Sequence, residues 1–528
     1  GFPKDNAATL GTGWVQHFTK GTTYFQSGTG GFGVPGAIDA GYTARKGPTG
    51  ELGWPTRSAV ARTAAGITGT VQAFQQGDVY SSKAGTAAVL GPVRGAFTTS
   101  ADAFDVLGWP TADANAVAAA GGGTAQVFTG GRLYVPTGKP AIAVTGVILP
   151  LYVARGEAGG SLGWPVSTQA TVSAHGVSKV VQSFTNGAAY ATGSSVTTVT
   201  GSLSATYAAD GGPTGRLGWV TGPARHSTAA GGGWSQAFDG GTLYYSSTST
   251  KTYALTGVVL KTYVARGEAG GSLGWPVGDA AGLTTHGSTR TVQTFQNGAA
   301  YVSGSTLTTV TGGTYTAYSA AGGPTGPLGW VAGPSRRTAA AGGGWIQSFG
   351  GGAVYYSSTT RKAFPATGSI LALYVARGGP GSSLGWPTST AAVVTADSGT
   401  RTVQSFGGGA VYQNGSVVQT VTGSLFTKYS ALGGPSGALG WETGPARSTT
   451  SAGGGWTQTF AHGELFYSSS SRQAHPVSGG ILTAYLKRGG PAGALGWPTG
   501  DPTVNGAVTT QVFQHGTVTS QNGTITVK

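Results

Sequence analysis

The stretch Gly368-Ser-Ile-Leu-Ala-Leu-Tyr-Val-Ala-Arg-Gly-Gly-Pro-Gly-Ser-Ser-Leu-Gly-Trp-Pro387 decides how this chain reads. Ile370 and Tyr374 stand four residues apart, a spacing that puts two apolar side chains on one face of a short helix. Gly378-Gly379 stops that helix. A loop rich in Gly, Ser and Pro then runs to Leu384-Gly-Trp-Pro387, where the proline forces an extended backbone on Trp386. The same Ile/Val-to-Tyr pair recurs as Ile38/Tyr42, Ile148/Tyr152, Val259/Tyr263 and Ile481/Tyr485.

Working outward, Leu-Gly-Trp begins at Leu52, Leu107, Leu162, Leu217, Leu273, Leu328, Leu384, Leu439 and Leu495, spaced 55 or 56 residues apart. Ten residues before each Leu stands an aromatic: Tyr42, Phe97, Tyr152, Tyr207, Tyr263, Tyr318, Tyr374, Tyr429 and Tyr485. A third block, Gln-x-Phe-x-x-Gly, recurs with Gln at 16, 72, 126, 182, 236, 293, 347, 404, 458 and 511. Its short alternating runs around a Gly-containing turn are a hairpin signal. A period of 111 overlies the shorter one. Leu162, Leu273, Leu384 and Leu495 each head Leu-Gly-Trp-Pro, whereas Leu217, Leu328 and Leu439 are followed by Val220, Val331 and Glu442 at the proline position. These periods predict about ten hairpin-plus-short-helix repeats of about 55 residues, mainly β with short helices.

One such unit buries little by itself, so the repeats are expected to stack on their neighbours. A propeller-like ring or a superhelical array would both do this, and the alternation favours either ten repeats in one ring or an open solenoid. No linker interrupts the spacing. Residues 1–528 therefore read as one continuous array, with two five-repeat assemblies of about 1–272 and 273–528 as the alternative division.

Composition narrows the function. Aromatics make up 10% and charged residues only 9%, which excludes a disordered chain. The absence of Cys removes disulfide scaffolds, thiolate metal sites and cysteine nucleophiles. No apolar run is long enough to span a membrane. A net charge of +14 favours an anionic partner, yet no nucleic-acid-binding module is present, so no nucleic-acid partner is expected.

Gly159-x-Ser161-x-Gly163 and Gly270-x-Ser272-x-Gly274 match a nucleophile-elbow pattern, with His175 and His286 downstream and Asp397 at the third copy. The elbow needs a strand-to-helix turn. Here the serine falls in a repeat loop, so no catalytic residue is assigned and no enzyme is expected. The seven His follow no metal-ligand spacing, and no metal or cofactor is expected. Asp113, Asp279 and Asp501 read as turn or cap residues.

The nine Leu-Gly-Trp tryptophans read as packing between repeats. The other four, Trp14, Trp234, Trp345 and Trp456, precede the hairpin Gln by two residues, and each is matched eleven residues on by Phe25, Tyr245, Tyr356 or Tyr467. The copy at Gln126 lacks both, with Thr124 and Val135 instead. With a two-residue Gly240-Gly241 turn, Gln236 would pair with Tyr245 and Trp234 would be its diagonal neighbour on one face. Such a pair suits either packing or stacking on a sugar. Arginine follows the long period too. Arg45, Arg155, Arg266, Arg377 and Arg488 lie three residues after the helix Tyr, and Arg225, Arg336 and Arg447 follow Gly-Pro-x. Two basic rows of this kind suit carboxylate or phosphate.

The chain resembles the LGFP repeat family through Ile148, Tyr152, Gly160, Leu162 to Pro165, Gln182 and Phe184, and through the opening Gly1-Phe2-Pro3. Trp replaces Phe in the nine complete copies. The resemblance implies a secreted actinobacterial protein of the kind found beside mycoloyltransferase or peptidoglycan-hydrolase domains. It also implies cell-wall binding and a compact propeller-like assembly in five-repeat examples. Because the chain opens inside a motif, removal of an N-terminal part is expected. The resulting expectation is a non-enzymatic, extracellular or cell-wall-associated protein that binds cell-wall polysaccharide, or another anionic envelope polymer, at many sites. The alternative is a structural protein that self-associates into a filament, sheath or surface layer.

Overall fold

A computed structural model describes residues 1–99, 103–119 and 121–528. The described residues hold ten four-stranded antiparallel sheets, each an up-and-down meander, with short helices between them. They group into two compact units, Gly1–Leu260 and Lys261–Lys528.

In the first unit one sheet comprises Ala170–Ala174, Val177–Phe184, Gly187–Thr192 and Ser195–Thr200. The chain continues into the helix Gly201–Ala209, a 3-10 turn at Gly212–Thr214, and Leu217-Gly-Trp219. The next sheet comprises Arg225–Ser227, Gly233–Phe238, Gly241–Ser246 and Lys251–Thr256. Each repeat thus carries two more strands than the expected hairpin. The outer strands are as short as Arg225–Ser227 and lie among Gly, Pro and Ser, so they show too few residues for an alternation to be visible.

The helix is held between two sheets. Leu203 and Tyr207, four apart, are its buried side chains. Tyr207 meets Tyr190 of the preceding sheet at 5.9 Å between ring centroids and Phe238 of the following one at 4.5 Å. Burial of such side chains contributes about 1.5–3 kcal/mol each, which a single repeat could not collect.

Leu-Gly-Trp acts as a clamp. The Leu217 and Trp219 carbonyls accept the amides of Gly240 and Asp239 at 2.8 and 2.9 Å, gripping the turn of the next hairpin. Gly218 between them has φ +66°, a conformation open to glycine at little cost, and its carbonyl accepts the Tyr207 hydroxyl at 2.5 Å. The helix tyrosine therefore ties the helix to the clamp. The residue after Trp forms an antiparallel bridge to the hairpin Phe whether it is Pro165, Val220 or Glu442. It is the next amide, Thr221 N–H, that donates into the hairpin, so a proline loses nothing there.

All nine Leu-Gly-Trp indoles are buried. In the second unit Trp386 Nε1 donates to Ala341 O at 2.9 Å, and Trp497 to Ala452 O at 3.0 Å. Each ring abuts a glycine of the preceding sheet: a Cβ on Gly344 would stand 2.5 Å from Trp386, and one on Gly455 would stand 2.4 Å from Trp497. Gly344 and Gly455, which immediately precede Trp345 and Trp456, thus make room for the tryptophan of the next repeat.

The copies without proline differ in one respect. Lys179, Arg290 and Arg401 stand over Trp219, Trp330 and Trp441 at 5.2, 5.1 and 4.9 Å from the ring centroids. Each also donates to the carbonyl of Val220, Val331 or Glu442. Arg401 further pairs with the buried Glu442 carboxylate. Burial pushes the Glu442 carboxyl above its ordinary range, against the opposing pull of Arg401.

Candidate functional site

The hairpin register differs from the expected one. Phe238 faces Gly241, so the turn is Asp239-Gly240 and not Gly240-Gly241. Gln236 consequently faces Leu243, and Trp234 faces Tyr245 directly instead of diagonally. The clamp on the Asp239 and Gly240 amides accounts for the shift, because it selects which two residues form the turn. Trp345 faces Tyr356, Trp456 faces Tyr467, and Trp14 faces Phe25 in the same way.

Gln236 sets the distance between sheets. Buried, it donates through Nε2 to Thr198 O of the preceding sheet at 2.8 Å and to Gly222 O at 3.0 Å. Two residues before it on the same face, Trp234 emerges at the mouth of the gap between the sheets and is 42% exposed. A cavity of about 540 Å³ opens there. Trp234 and Tyr245 line it from one sheet with Pro223 from the segment leading into that sheet, Thr198 and Thr200 from the other sheet, and Arg155 with Ser161 from the loop beside them. In the second unit the same construction recurs 222 residues on, with a volume again of about 540 Å³. Its lining includes Trp456, Tyr467, Pro445, Thr420, Thr422, Arg377 and Ser383, and Gln458 bonds Thr420 O at 2.9 Å. Halfway between in sequence, Trp345 and Tyr356 line a smaller cavity of about 280 Å³ with Thr311, Gly313 and Thr314.

The arginine rows separate. Arg155 and Arg377 line the open grooves beside the aromatic pairs, and Arg266 is not among the residues lining the smaller one. Arg488 donates to Ala484 O of its own helix. Arg45 is ion-paired with Asp113 and also bonds Gly41 O. Arg225, Arg336 and Arg447 face Ser235, Ile346 and Thr457, which places them on the opposite face of the sheet from the tryptophans. The strand positions that do share the tryptophan face are His226, Arg337 and Ser448. His226 lies 4.8 Å from Trp234 between ring centroids. The sequence reading missed these residues, together with Thr198, Thr420, Pro223 and Pro445. Their only signal was the 111-residue period, since cross-sheet proximity leaves no mark in a linear spacing.

Two further readings change. Asp113 and Asp501 make ion pairs to side chains far along the chain and are not caps. Asp501 bonds Lys428 and His475, and although burial works to raise its pKa, these two hydrogen bonds hold the carboxyl below the usual range. His175 and His286 occupy left-handed positions in tight hairpin turns, with φ +49° and +48°, and Asp397 takes the same conformation at the third copy. His175 Nε2 lies 3.2 Å from the Gly215 carbonyl. Ser161 belongs to the groove.

The sequence profile of the LGFP repeat matches residues 1–50, 107–160, 162–215, 217–271, 328–382, 384–437 and 438–493. The chain belongs to the LGFP repeat family. The stretches of this LGFP array between the matches carry the same four-stranded sheets. A comparison with curated proteins returned no match. Among solved structures, the extracellular domain of a hybrid two-component system of B. thetaiotaomicron aligns at 8% identity and a TM-score of 0.13, over 96% of this chain and 63% of that one. PorZ, a surface component of the type-IX secretion system of Porphyromonas gingivalis, aligns at 9% identity and a TM-score of 0.13, over 99% of this chain and 66% of that one. Overlaps this weak carry no argument about the LGFP array. Among the described residues no helix is long and apolar enough to cross a membrane.

Proposed function

We propose that this LGFP array is a secreted, non-enzymatic protein that attaches to the cell envelope by binding cell-wall glycan or a related anionic polymer at several grooves. The observation that carries this reading is the pair of matching cavities at Trp234/Arg155 and Trp456/Arg377. A large aromatic kept about half open to solvent, beside a hydroxyl-lined gap and a guanidinium, suits a sugar ring that offers a C–H face, hydroxyls and negative charge. Membership of the LGFP family and the +14 net charge support the same partner class. Two weak sites on one chain gain avidity once the first is engaged.

Co-sedimentation with isolated cell walls tests the proposal. Wild type pellets with walls, and a Trp234→Ala/Trp456→Ala double variant with an unchanged melting curve stays largely in solution. Equal pelleting of the two proteins would remove the grooves from the explanation. Filaments in negative stain without wall binding would favour a self-assembling structural protein.

A further inference from the structure

The same groove occurs in this chain in a plugged form, and the plug points to the ligand. Arg45 holds the position that Arg155 and Arg377 hold in their repeats, three residues after the helix Tyr. Sixty-eight residues further on, where the open grooves have Pro223 and Pro445, this copy has Asp113. Where they have Trp234/Tyr245 and Trp456/Tyr467, it has Thr124 and Val135. The Asp113 carboxylate takes both Nε and Nη2 of Arg45 and also accepts Ala88 N–H at 2.8 Å. The aromatic pair and the unoccupied guanidinium are therefore present together or replaced together. Among the described residues neither Arg155 nor Arg377 has an acidic partner.

We infer that each open groove binds one residue of a carboxylated sugar, a hexuronate-type unit within a polysaccharide. Its carboxylate takes the place on Arg155 or Arg377 that the Asp113 carboxylate takes on Arg45, where one oxygen accepts from both Nε and Nη2. Its ring lies against Trp234 or Trp456, and its hydroxyls meet the Thr198/Thr200 or Thr420/Thr422 side. The ring requirement excludes an open-chain polyol phosphate, which has no flat C–H face to offer an aromatic.

The middle groove is closed by its own tyrosine. Position 313 is Gly where the open grooves have Ser202 and Ser424. Tyr356 lies so close over Gly313 that a Cβ there would stand 2.8 Å from the ring. The cavity is correspondingly about 280 Å³ against about 540 Å³ for each open groove. Among the described residues there are therefore two open grooves of this kind, one in each unit, and Gly313→Ser opens a third.

The inference rests on the envelope-binding reading and is tested separately from it, by titration calorimetry on the full chain. The probes are tetramers of galacturonate, mannuronate and glucuronate, with uncharged cellotetraose as the control. At least one uronate binds with a stoichiometry of two and at least tenfold more tightly than cellotetraose. Pro223→Asp, which installs the Asp113 arrangement beside Arg155, lowers the stoichiometry to one, and Gly313→Ser raises it to three. Arg155→Gln likewise removes one site, and circular dichroism checks that every variant keeps the wild-type fold. The inference is overturned if no uronate exceeds cellotetraose while walls still sediment the protein, an outcome that leaves the envelope reading intact. It is also overturned if Pro223→Asp and Arg155→Gln leave the stoichiometry at two, or if a ten-residue oligothymidylate binds the same sites as tightly as the best uronate.

Discussion

Tryptophan does two different jobs in this chain, and its neighbours decide which. Trp386 is enclosed, with its ring on Gly344 and its N–H on Ala341 O, while Trp345, one residue after that glycine, is 41% exposed. Trp386→Ala removes the enclosed ring and is expected to cost about 3–5 kcal/mol, read as a lower melting temperature by circular dichroism. Trp345→Ala is expected to shift melting little, and a drop as large as that of Trp386→Ala would contradict the assignment of roles. Glu442 provides a second test. Val220 and Val331 occupy its position elsewhere, and Arg290 bonds the Val331 carbonyl without a carboxylate to help. In Glu442→Val the Arg401 guanidinium keeps the backbone-carbonyl and indole contacts that Arg290 has beside Val331, and the cost of burying a carboxylate is removed, so the variant is expected to melt at or above the wild-type temperature at pH 7. The pH dependence has a definite sign. Because burial raises the folded-state pKa above the ordinary 4.5, the folded chain holds this proton more tightly than the unfolded one, and stability falls as pH rises through that window. Wild type should gain on Glu442→Val as pH is lowered from 7 towards 4.5; a difference constant with pH would refute the raised pKa.

The helix and its clamp were legible in the sequence because both ends of the device are local. Ile370 and Tyr374 are buried on one helix face as their spacing predicts, and Tyr lies at a constant ten residues from the Leu of the clamp. What the spacing could not show is the bond between them. The Tyr hydroxyl to Gly carbonyl bond recurs at Tyr42, Tyr152, Tyr263, Tyr374 and Tyr485, each within 2.6 to 2.8 Å. Phe97 has no hydroxyl, and in that repeat a helix, Ala103–Leu107, replaces the 3-10 turn and buries Phe104 near Trp109 at 5.2 Å. Tyr207→Phe is accordingly expected to cost about 1 kcal/mol, the net worth of one internal hydrogen bond, in chemical denaturation. A loss above about 3 kcal/mol would mean that the ring packing had changed as well. The hairpin register was misread for a related reason. Any two-residue turn fits Asp239-Gly240-Gly241, and only the Leu217 and Trp219 carbonyls, distant in sequence, choose between the possibilities.

At the scale of the whole molecule the repeat count, the mainly β character and the 111-residue alternation were readable from spacing alone, whereas the grooves were not. Each groove draws its lining from three successive repeats, so Arg155, Thr198 and Trp234 look unrelated along the chain. Charge belongs to this scale too. With a net +14, attraction to an acidic wall is expected to weaken as salt shortens the Debye length from about 10 Å at 0.1 M to about 3 Å at 1 M. Wall-bound protein should therefore elute between these concentrations in a stepwise salt wash. Retention unchanged at 1 M would assign the binding to stacking alone.

The direction of the indole bonds carries a consequence for biosynthesis. Trp386 reaches back 45 residues to Ala341, and Trp497 reaches back 45 to Ala452, so each of these two sheets is sealed by a tryptophan made later than itself. A chain emerging N-terminus first, from a ribosome or through a narrow export channel, would trail one unsealed sheet behind a finished stack at all times. Glycine-rich edges of that kind invite pairing with the wrong neighbour, and the hazard is confined to a single moving repeat. A chain stopped after Ser478 should show this as a snapshot. Limited proteolysis is expected to nick it within Gly455–Ser478 while sparing the equivalent sheet at Gly344–Thr367, where Trp386 is already in place.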